Sequence, residues 1–473
     1  MQSSFRFLAV ALFVAGSAAP LTAQQLSQTL SLADAIRLAQ RESEAVRIAR
    51  AGIDRAQGQY LQARSQKLPQ VTGTASYQRT LQSQFSEIAE RTATSDSGGD
   101  AGAGFADSPL ARVFASKNTM VLGLNASQVL YAGGSVNAGI AAANAGRRAA
   151  DLAEINARAQ LAYETSVAYL DVQVAERLVA IADSSFAQTE RALRQTTLAR
   201  EVGNTAEYDL IRARVQRDNA RPGLIAATTR RDVALHRLRQ LLNISGTMPL
   251  VLTTSIDAAT AFTPTDVRSA GDLGIGEPDT TTAARAIVRA AQEGIRSQEE
   301  LLRATRGQRL PQISLTTNYQ RFAYPSGILE DRVKMYFPNW TASLGLSLPI
   351  YTGGRRGGDE LVARANLAEA QQRYEQVREA ASLDTRLAVA DLQQAEAILA
   401  ASSGTDEQAA RGYAIAEVRF NEGLATQVEL SQARVDLGVA RANRVQAARD
   451  VALARLKLAL LRDLPLGVST TQR

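Results

Sequence analysis

Side chains that commonly perform catalysis are scarce in this sequence. The chain has 473 residues, no cysteine and one histidine, His236. Without cysteine there is no disulfide, no thiolate metal site and no histidine-cysteine dyad. Gly353–Gly358 reads GGRRGG and has the glycines of a phosphate-binding loop, but the Lys-Ser/Thr pair that completes such a loop does not follow. No constellation of clustered carboxylates is present either, so the sequence favours neither an enzyme nor a metal or cofactor site.

The charged residues are mostly arginines interleaved with acids. Lysine and arginine total 53, aspartate and glutamate total 47, and the formal net charge is +6. Because the two signs alternate along predicted helices and form no single basic patch, solvated helix faces explain the excess better than nucleic-acid binding does.

The first residues have the composition of a secretory signal peptide. Arg6 precedes the apolar run FLAVALFV at Phe7–Val14, and Met1–Ala23 ends in a small residue. This pattern predicts cleavage near Gln24 and export from the cytoplasm. No later stretch approaches the roughly 20 apolar residues of a membrane-spanning helix.

Two related segments each join a strand to a very long helix. They are QVLYAGG at Gln128–Gly134 and SLPIYTGG at Ser347–Gly354. In each, an alternating apolar and polar run, typical of a strand with one apolar face, ends in tyrosine, a small residue and two glycines. A helical period follows, over Ser135–Glu201 after the first copy. Glycine suits such a junction because it adopts backbone angles that other residues reject.

Shorter helices flank each long one. A helix is predicted at Leu32–Gln66, with Ser31 as its N-cap, and another at Ala206–Asn243. Pro222-Gly223 should kink or interrupt the second of these, since proline removes a backbone hydrogen bond.

Strands and polar segments complete the pattern. Alternation predicts strands at Leu68–Arg79 and Thr119–Tyr131, with a polar loop at Glu87–Phe105 between them. Thr247–Thr282 is rich in Thr, Asp, Gly and Pro and is predicted to be an irregular linker.

The chain is an internal duplication. Val46–Gln70 aligns with Val288–Gln312 at an offset of 242, and the strand that follows contains LPQ and YQR in both copies. Tyr131 aligns with Tyr351 at an offset of 220, so the first hairpin loop is longer. Repeats of this length define the architecture. The expected organisation is a signal peptide (1–23), a first repeat (24–246), a linker (247–282), a second repeat (283–462) and a C-terminal tail (463–473).

The predicted strands of one subunit are too few to form a closed membrane barrel. The sequence predicts four strands with one apolar face, and open edges leave backbone groups unpaired in lipid. The smallest membrane barrels have about eight strands, so strands must be pooled between two or three subunits. A long helix of about 100 Å, faced by two shorter ones, would then reach from the membrane into an aqueous compartment.

The duplicated set of motifs resembles the TolC family of outer-membrane efflux ducts. The resemblance rests on the YAGG and YTGG junctions, the LPQ strand openings and the tips REVGNTAEYDLIRA at Arg200–Ala213 and RFNEGLATQVELSQA at Arg419–Ala433. It implies a mainly α homotrimer with a shared 12-stranded membrane β-barrel and a periplasmic α-barrel tunnel of long antiparallel, coiled-coil hairpins. It also implies a periplasmic adaptor and an inner-membrane transporter as partners, outer-membrane lipid around the barrel, and no cofactor.

The resemblance also assigns roles to particular residues. Glu429 and Gln432 match the periplasmic gate, where the family usually has two acids and this chain keeps one. The residues that match the adaptor-binding tips are Gly203, Asn204, Thr205, Asp209, Gly423, Leu424 and Thr426. The residues that match the strand-helix junctions are Tyr131, Gly133, Gly134, Tyr351, Gly353 and Gly354.

Three functions remain to be separated. The first is a passive duct that exports small molecules such as drugs and toxic compounds. The second is a duct of a type I protein secretion system, which the residues do not distinguish from the first. The third is a structural coiled-coil surface protein, which the amphipathic strands and antiparallel helix returns disfavour.

Overall fold

A computed structural model describes residues 28–81, 118–244, 250–256, 281–324 and 337–467. The predicted signal peptide, the polar loop Glu87–Phe105, most of the predicted linker and the end of the tail lie outside the described residues. The helices are α1 Leu32–Glu42, α2 Glu44–Ser65, α3 Ser135–Glu201, α4 Glu207–Leu241, α5 Ala286–Gly307, α6 Arg355–Asn421 and α7 Gln427–Leu460. The strands are β1 Gln28–Leu30, β2 Gln70–Arg79, β3 Asn118–Ala132, β4 Leu250–Leu252, β5 Gln312–Ala323 and β6 Phe337–Ser347.

The duplication is confirmed by paired helices of equal length. Helices α2 and α5 both have 22 residues, and α3 and α6 both have 67. At ~1.5 Å per residue each long helix extends about 100 Å. Among the described helices, none has both the length and the apolar composition to cross a bilayer.

The first predicted helix, Leu32–Gln66, is two helices that meet at Ser43. Ser31 caps α1 as predicted, accepting a hydrogen bond from the Asp34 N–H at 3.1 Å. Ser43 is extended, with φ −68° and ψ 135°, and its hydroxyl accepts from the Ala45 N–H. The single-helix prediction was wrong because a serine that caps a second helix leaves the apolar period almost unbroken.

Helix α4 runs through Pro222 without interruption. The predicted interruption was wrong. The missing N–H would have bonded to the carbonyl of Asp218, and Asp218, Pro222 and Gly223 are all exposed, so water can satisfy that carbonyl.

The main sheet is antiparallel with the order β2-β3-β5-β6. Its two hairpins come from the two repeats and join through β3 and β5. Within the described residues, neither β2 nor β6 has a partner on its outer side. One face carries apolar side chains, among them Val71, Ala75, Tyr77, Leu122, Leu124, Leu344 and Leu346. The other carries Thr72, Thr74, Ser76, Asn125, Thr316, Asn318 and Ser343.

A bulge in β3 brings Tyr131 onto the apolar face. The register with β5 shifts between Val129, opposite Ser314, and Tyr131, opposite Ile313. Without the extra residue Leu130, strict alternation would direct Tyr131 to the polar face. The orientation of the Tyr131 side chain toward the apolar face therefore depends on a one-residue insertion in β3.

Two further strands lie outside this sheet. Strands β1 and β4 form a short parallel pair, so the prediction of four strands in total was wrong. The buried Tyr169 hydroxyl joins them, donating to the Leu30 carbonyl at 3.0 Å and accepting from the Thr254 N–H at 3.0 Å. Burial raises the Tyr169 pKa above its ordinary value. Strands of three residues are too short to produce a periodic pattern.

The principal core surrounds the middle of α3. It contains Ile36 and Ala39 of α1, Leu238 of α4 and Leu456 and Leu460 of α7. Helix α1 therefore packs across the point where both repeats meet.

A buried ion cluster holds the start of α5 against α6 and α7. The Arg285 side chain is fully buried, and its Nη2 lies 2.8 Å from Asp384 Oδ2. Lys457 Nζ lies 3.7 Å from carboxylate oxygens of both Asp384 and Asp391. Arg285 also donates to the carbonyls of Ala381 and Leu464, which connects the second repeat to the C-terminal segment.

Candidate functional site

The two helical tips lie at the same end of the molecule. A cavity of about 120 Å³ is lined by Arg191 of α3 together with Tyr413, Glu417 and Arg434 of α6 and α7. Tyr413 donates a hydrogen bond to Glu417 at 3.0 Å. The Tyr413 pKa is raised, mainly by burial and to a smaller extent by this bond. Burial lowers the pKa of Arg434. The cavity therefore lies between the tip-proximal parts of the two repeats.

Each tip turn is a glycine-terminated helix end. Gly203 has φ +80° and Gly423 has φ +74°. The N–H of Asn204 bonds to the Ala199 carbonyl at 2.8 Å, and that of Leu424 to the Arg419 carbonyl at 2.7 Å. These six-to-one bonds define a Schellman motif, which needs a residue in the left-handed region. Glycine at both positions is therefore required by the turn itself.

The tips expose apolar side chains. Val202 and Leu424 are each 70% exposed. Leu424 occupies the position whose side chain often packs on the helix in a Schellman motif, but the facing residue is Arg419. Its apolar surface is therefore exposed to solvent.

The second tip is capped more strongly than the first. Thr426 is the N-cap of α7, and its hydroxyl accepts from the Glu429 N–H at 3.2 Å and lies 3.4 Å from the Glu429 carboxylate. Ala206 takes the same place before α4 and has no side chain to cap with. The Asp209 N–H bonds instead to the Ala206 carbonyl. Glu429, predicted at the gate, thus also takes part in capping α7 through its backbone N–H.

An arginine links the two helices at each tip. Arg419 Nη1 lies 3.9 Å from Glu429 Oε2, and Arg200 Nε lies 3.1 Å from Glu207 Oε2. The arginines are not at matching positions of the repeats, and sequence comparison alone therefore missed them. Both pairs are solvent-exposed, so each contributes at most about 1 kcal/mol.

A second acid lies on the same face of α7 as the predicted gate residues. Gln432 Nε2 donates to Asp436 Oδ1 at 2.8 Å. Glu429, Gln432 and Asp436 are spaced by three and four residues and are all exposed. Asp436 was missed because the comparison with the family stopped at Gln432, although its spacing was a usable signal.

The strand-helix junctions need glycine in both repeats. Gly133 and Gly353 have φ +59°, and Gly134 and Gly354, which precede α3 and α6, have φ +80° and +83°. A Cβ on Gly133 would lie 2.1 Å from the Gly307 carbonyl oxygen, while one on Gly353 meets nothing within the chain.

Glu360 stabilises the second junction. Its carboxylate lies 3.1 Å from Arg306 Nε, 2.6 Å from Arg364 and 2.6 Å from Arg309. The hydrogen bond from Arg306 is the main cause that lowers the Glu360 pKa. Helix α5 is thereby held to the start of α6.

The structure places the predicted residues in two groups at opposite ends of the long helices. The tip and gate positions surround the C-terminal ends of α3 and α6, and the junction positions precede their N-terminal ends. No group of three or more potential metal ligands occurs in the part of the chain that the structure describes.

Known proteins share this architecture. The outer membrane efflux protein BepC of Brucella suis is 25% identical over 346 residues, which are 72% of this chain and 72% of BepC. The CmeC outer membrane channel of Campylobacter jejuni matches with a TM-score of 0.71 at 18% identity, covering 93% of this chain and 87% of CmeC. CusC matches with a TM-score of 0.71 at 19% identity and 91% coverage of both chains. At these identities the two solved structures establish the fold.

The family comparison spans most of the sequence. The model of the family described as outer membrane efflux protein matches residues 35–244 and 278–462, one segment in each repeat. The resemblance drawn from the junctions, strand openings and tips is confirmed. The chain belongs to the outer membrane efflux protein family.

Proposed function

We propose that this outer membrane efflux protein is a passive trimeric duct that exports small molecules, such as drugs and toxic compounds, in a tripartite pump. A periplasmic adaptor would bind its tips, and an inner-membrane transporter would supply the energy. The observation that carries the proposal is a four-stranded sheet with one exposed apolar face, attached to helices of about 100 Å, whose two edges have no partner among the described residues.

The unpaired edges support a closed assembly of three chains. In lipid every backbone N–H and C=O needs a partner, so β6 of one subunit would pair with β2 of the next. Three copies would close twelve antiparallel strands, with the apolar face toward lipid and the threonines, serines and asparagines toward the lumen.

The exposed acidic face of α7 supports a gate at the tunnel mouth. We place Glu429 and Asp436 on the lumen side, where three subunits would contribute two levels of carboxylates separated by Gln432. Like charges in a narrow mouth repel one another and concentrate cations. The resulting duct would be cation-selective and would be blocked by multivalent cations.

Glu429→Gln should lower the cation-to-anion permeability ratio roughly fivefold, the equivalent of about 1 kcal/mol in local potential. The backbone N–H of residue 429 still donates to the Thr426 hydroxyl, so the helix end should keep most of its stability. Asp436→Asn should act in the same direction, and Gln432→Glu in the opposite one. Conductance of single trimers in planar bilayers, with and without a multivalent cation, measures these effects.

Asp209→Asn is the matched control, because Asp209 occupies the position of Glu429 in the first repeat. It should change selectivity less. If Asp209→Asn abolishes selectivity while Glu429→Gln and Asp436→Asn leave it intact, the other repeat lines the mouth.

Replacing the exposed tip residue Leu424 with serine should disrupt adaptor binding and leave the trimer intact. Burial of a leucine at an interface is worth about 1.5–3 kcal/mol, so binding should weaken at least roughly tenfold. The measurement is the accumulation of a dye in the native host, with the variant Leu424→Ser replacing the host's native protein; accumulation reports lost export. Leu81→Ser, at the opposite end and 90% exposed in the native chain, is the control and should export normally. Normal export by Leu424→Ser would place the docking surface elsewhere.

A further inference from the structure

The main sheet contains two charged residues, and both are arginines. They are Arg79 and Arg321, which end the repeated tripeptide Tyr-Gln-Arg in β2 and β5. Strands β2, β3, β5 and β6 contain no aspartate, glutamate or lysine. A cation in each repeat, with no strand carboxylate to pair with it, is a feature that export through the lumen does not explain.

Both arginines lie on the apolar face. Arg321 is opposite Leu122 on one side and Pro338 on the other. Its Nε donates to the Tyr319 hydroxyl at 2.8 Å, and its guanidinium lies 5.7 Å from the centre of that ring. This contact with a residue two positions away shows that Arg321 and Tyr319 share a face. A charge there faces lipid, not the lumen.

Arg79 takes the equivalent place in the first repeat. It alternates with Val71, Ala75 and Tyr77 and is opposite Asn118, which accepts a hydrogen bond from the Tyr77 hydroxyl at 2.8 Å. Arg79 and Arg321 are both exposed. The tyrosine before each arginine is therefore held by a polar contact on the same face.

The two arginines fall at one level of a tilted barrel. The partners of Arg79 and Arg321 on β3, Asn118 and Leu122, are four residues apart. Tilted strands stagger the register from strand to strand, so equivalent residues of successive hairpins share one height. The helices connect to the opposite end of these strands, so this level is the outer rim.

We propose that Arg79 and Arg321 bind phosphate groups of lipids in the outer leaflet of the outer membrane. Guanidinium binds phosphate through paired hydrogen bonds, and an arginine on the lipid face costs ~0–1 kcal/mol near the interface but ~2–4 kcal/mol at the midplane. Tyr77, Tyr319 and Trp340, which pairs with Tyr319, supply the aromatic side chains typical of that interface. The inference rests on the trimeric barrel proposed above and adds six lipid-phosphate sites to it.

The only tryptophan of the chain, Trp340, reports on this rim. Trimers in vesicles of brominated phosphatidylcholine have quenched emission, and a lipid that displaces the brominated one restores it. Lipid A with both phosphates should displace it about fivefold better per arginine than dephosphorylated lipid A with the same acyl chains, as expected for about 1 kcal/mol per basic residue at an anionic surface.

The double variant Arg79→Gln/Arg321→Gln should lose this preference, and each single variant should lose about half of its free energy. Lysine at both positions should retain much of it, because an ammonium group also binds phosphate. Arg373→Gln, on the exposed surface of α6, should behave as the native chain does. Assembly is checked separately by the heat-modifiable trimer band on gels. If the native chain forms no trimer, the proposed function is contradicted. If trimers form but the lipid preference is absent, only the lipid site is contradicted.

Two results would overturn the lipid site. One is an unchanged preference for phosphorylated lipid A in the double variant. The other is loss of the preference when inorganic phosphate is added at matched ionic strength, which would indicate a site for soluble phosphate.

Discussion

A chain with cysteine in place of Ser347 and Thr74 is expected to oxidise into a covalently closed trimer. Within one chain, β3 pairs with β5 and Ser127 is opposite Thr316. The repeat offsets that align both hairpins carry Ser127 to Ser347 on β6 and Thr316 to Thr74 on β2. If the contact between subunits repeats the contact between the two hairpins, these residues face each other across it.

The geometry makes this cross-link specific. Residues directly opposite in antiparallel strands have Cβ atoms about 4.5–5.5 Å apart, close to what a disulfide needs. Within one chain Thr74 and Ser347 lie on the two outer strands, three strand spacings or about 14 Å apart across the sheet. The registers also place Thr74 level with Asn339, eight residues along β6 from Ser347, so an internal bridge cannot form. The native chain has no cysteine to compete. Denaturing gels without reductant measure the product.

Pairing Ser347→Cys with Ala75→Cys is the control. Ala75 is adjacent to Thr74 and points to the opposite face of the sheet, so its thiol would point away from that of residue 347. Cross-linking of this control pair, or dimers as the end product of the first pair, would contradict the proposed register and the threefold closure.

Arg285→Ala should destabilise the fold by about 3 kcal/mol, the lower end of the 3–5 kcal/mol for breaking a buried ion pair. The change leaves Asp384, whose side chain is 12% exposed, without its closest cation. Lys457, 3.7 Å away, compensates in part. Chemical denaturation followed by helical circular dichroism measures the loss.

Arg373→Ala is the control, because it breaks an ion pair that is exposed to solvent. Arg373 pairs with Glu369 on the same helix, and their side chains are 74% and 58% exposed. Such a pair contributes about 0.3–0.5 kcal/mol. If the two substitutions lower the free energy of unfolding equally, the Arg285 cluster does not stabilise the contact of α5 with α6 and α7.

The sequence alone determined those features whose causes are local. Ser135–Glu201 was predicted with the same limits as α3, because Gly133-Gly134 and Gly203 occupy left-handed backbone positions on either side of it. Alternation predicted the strands of the main sheet, and the two repeat offsets predicted which elements are equivalent. These signals survive in sequence because each depends on residues within a few positions of one another.

The tertiary structure decided what depends on distant partners. Strand β1 pairs with β4 across more than two hundred residues, and Tyr169 completes that pair from α3. Arg285 is one of many arginines in the sequence until Asp384 is brought to within 2.8 Å of it. The β3 bulge that turns Tyr131 toward the apolar face becomes visible only from its register with β5. Each of these features is created by closing a long loop of chain, and neither residue type nor periodicity records which segments will meet when it closes.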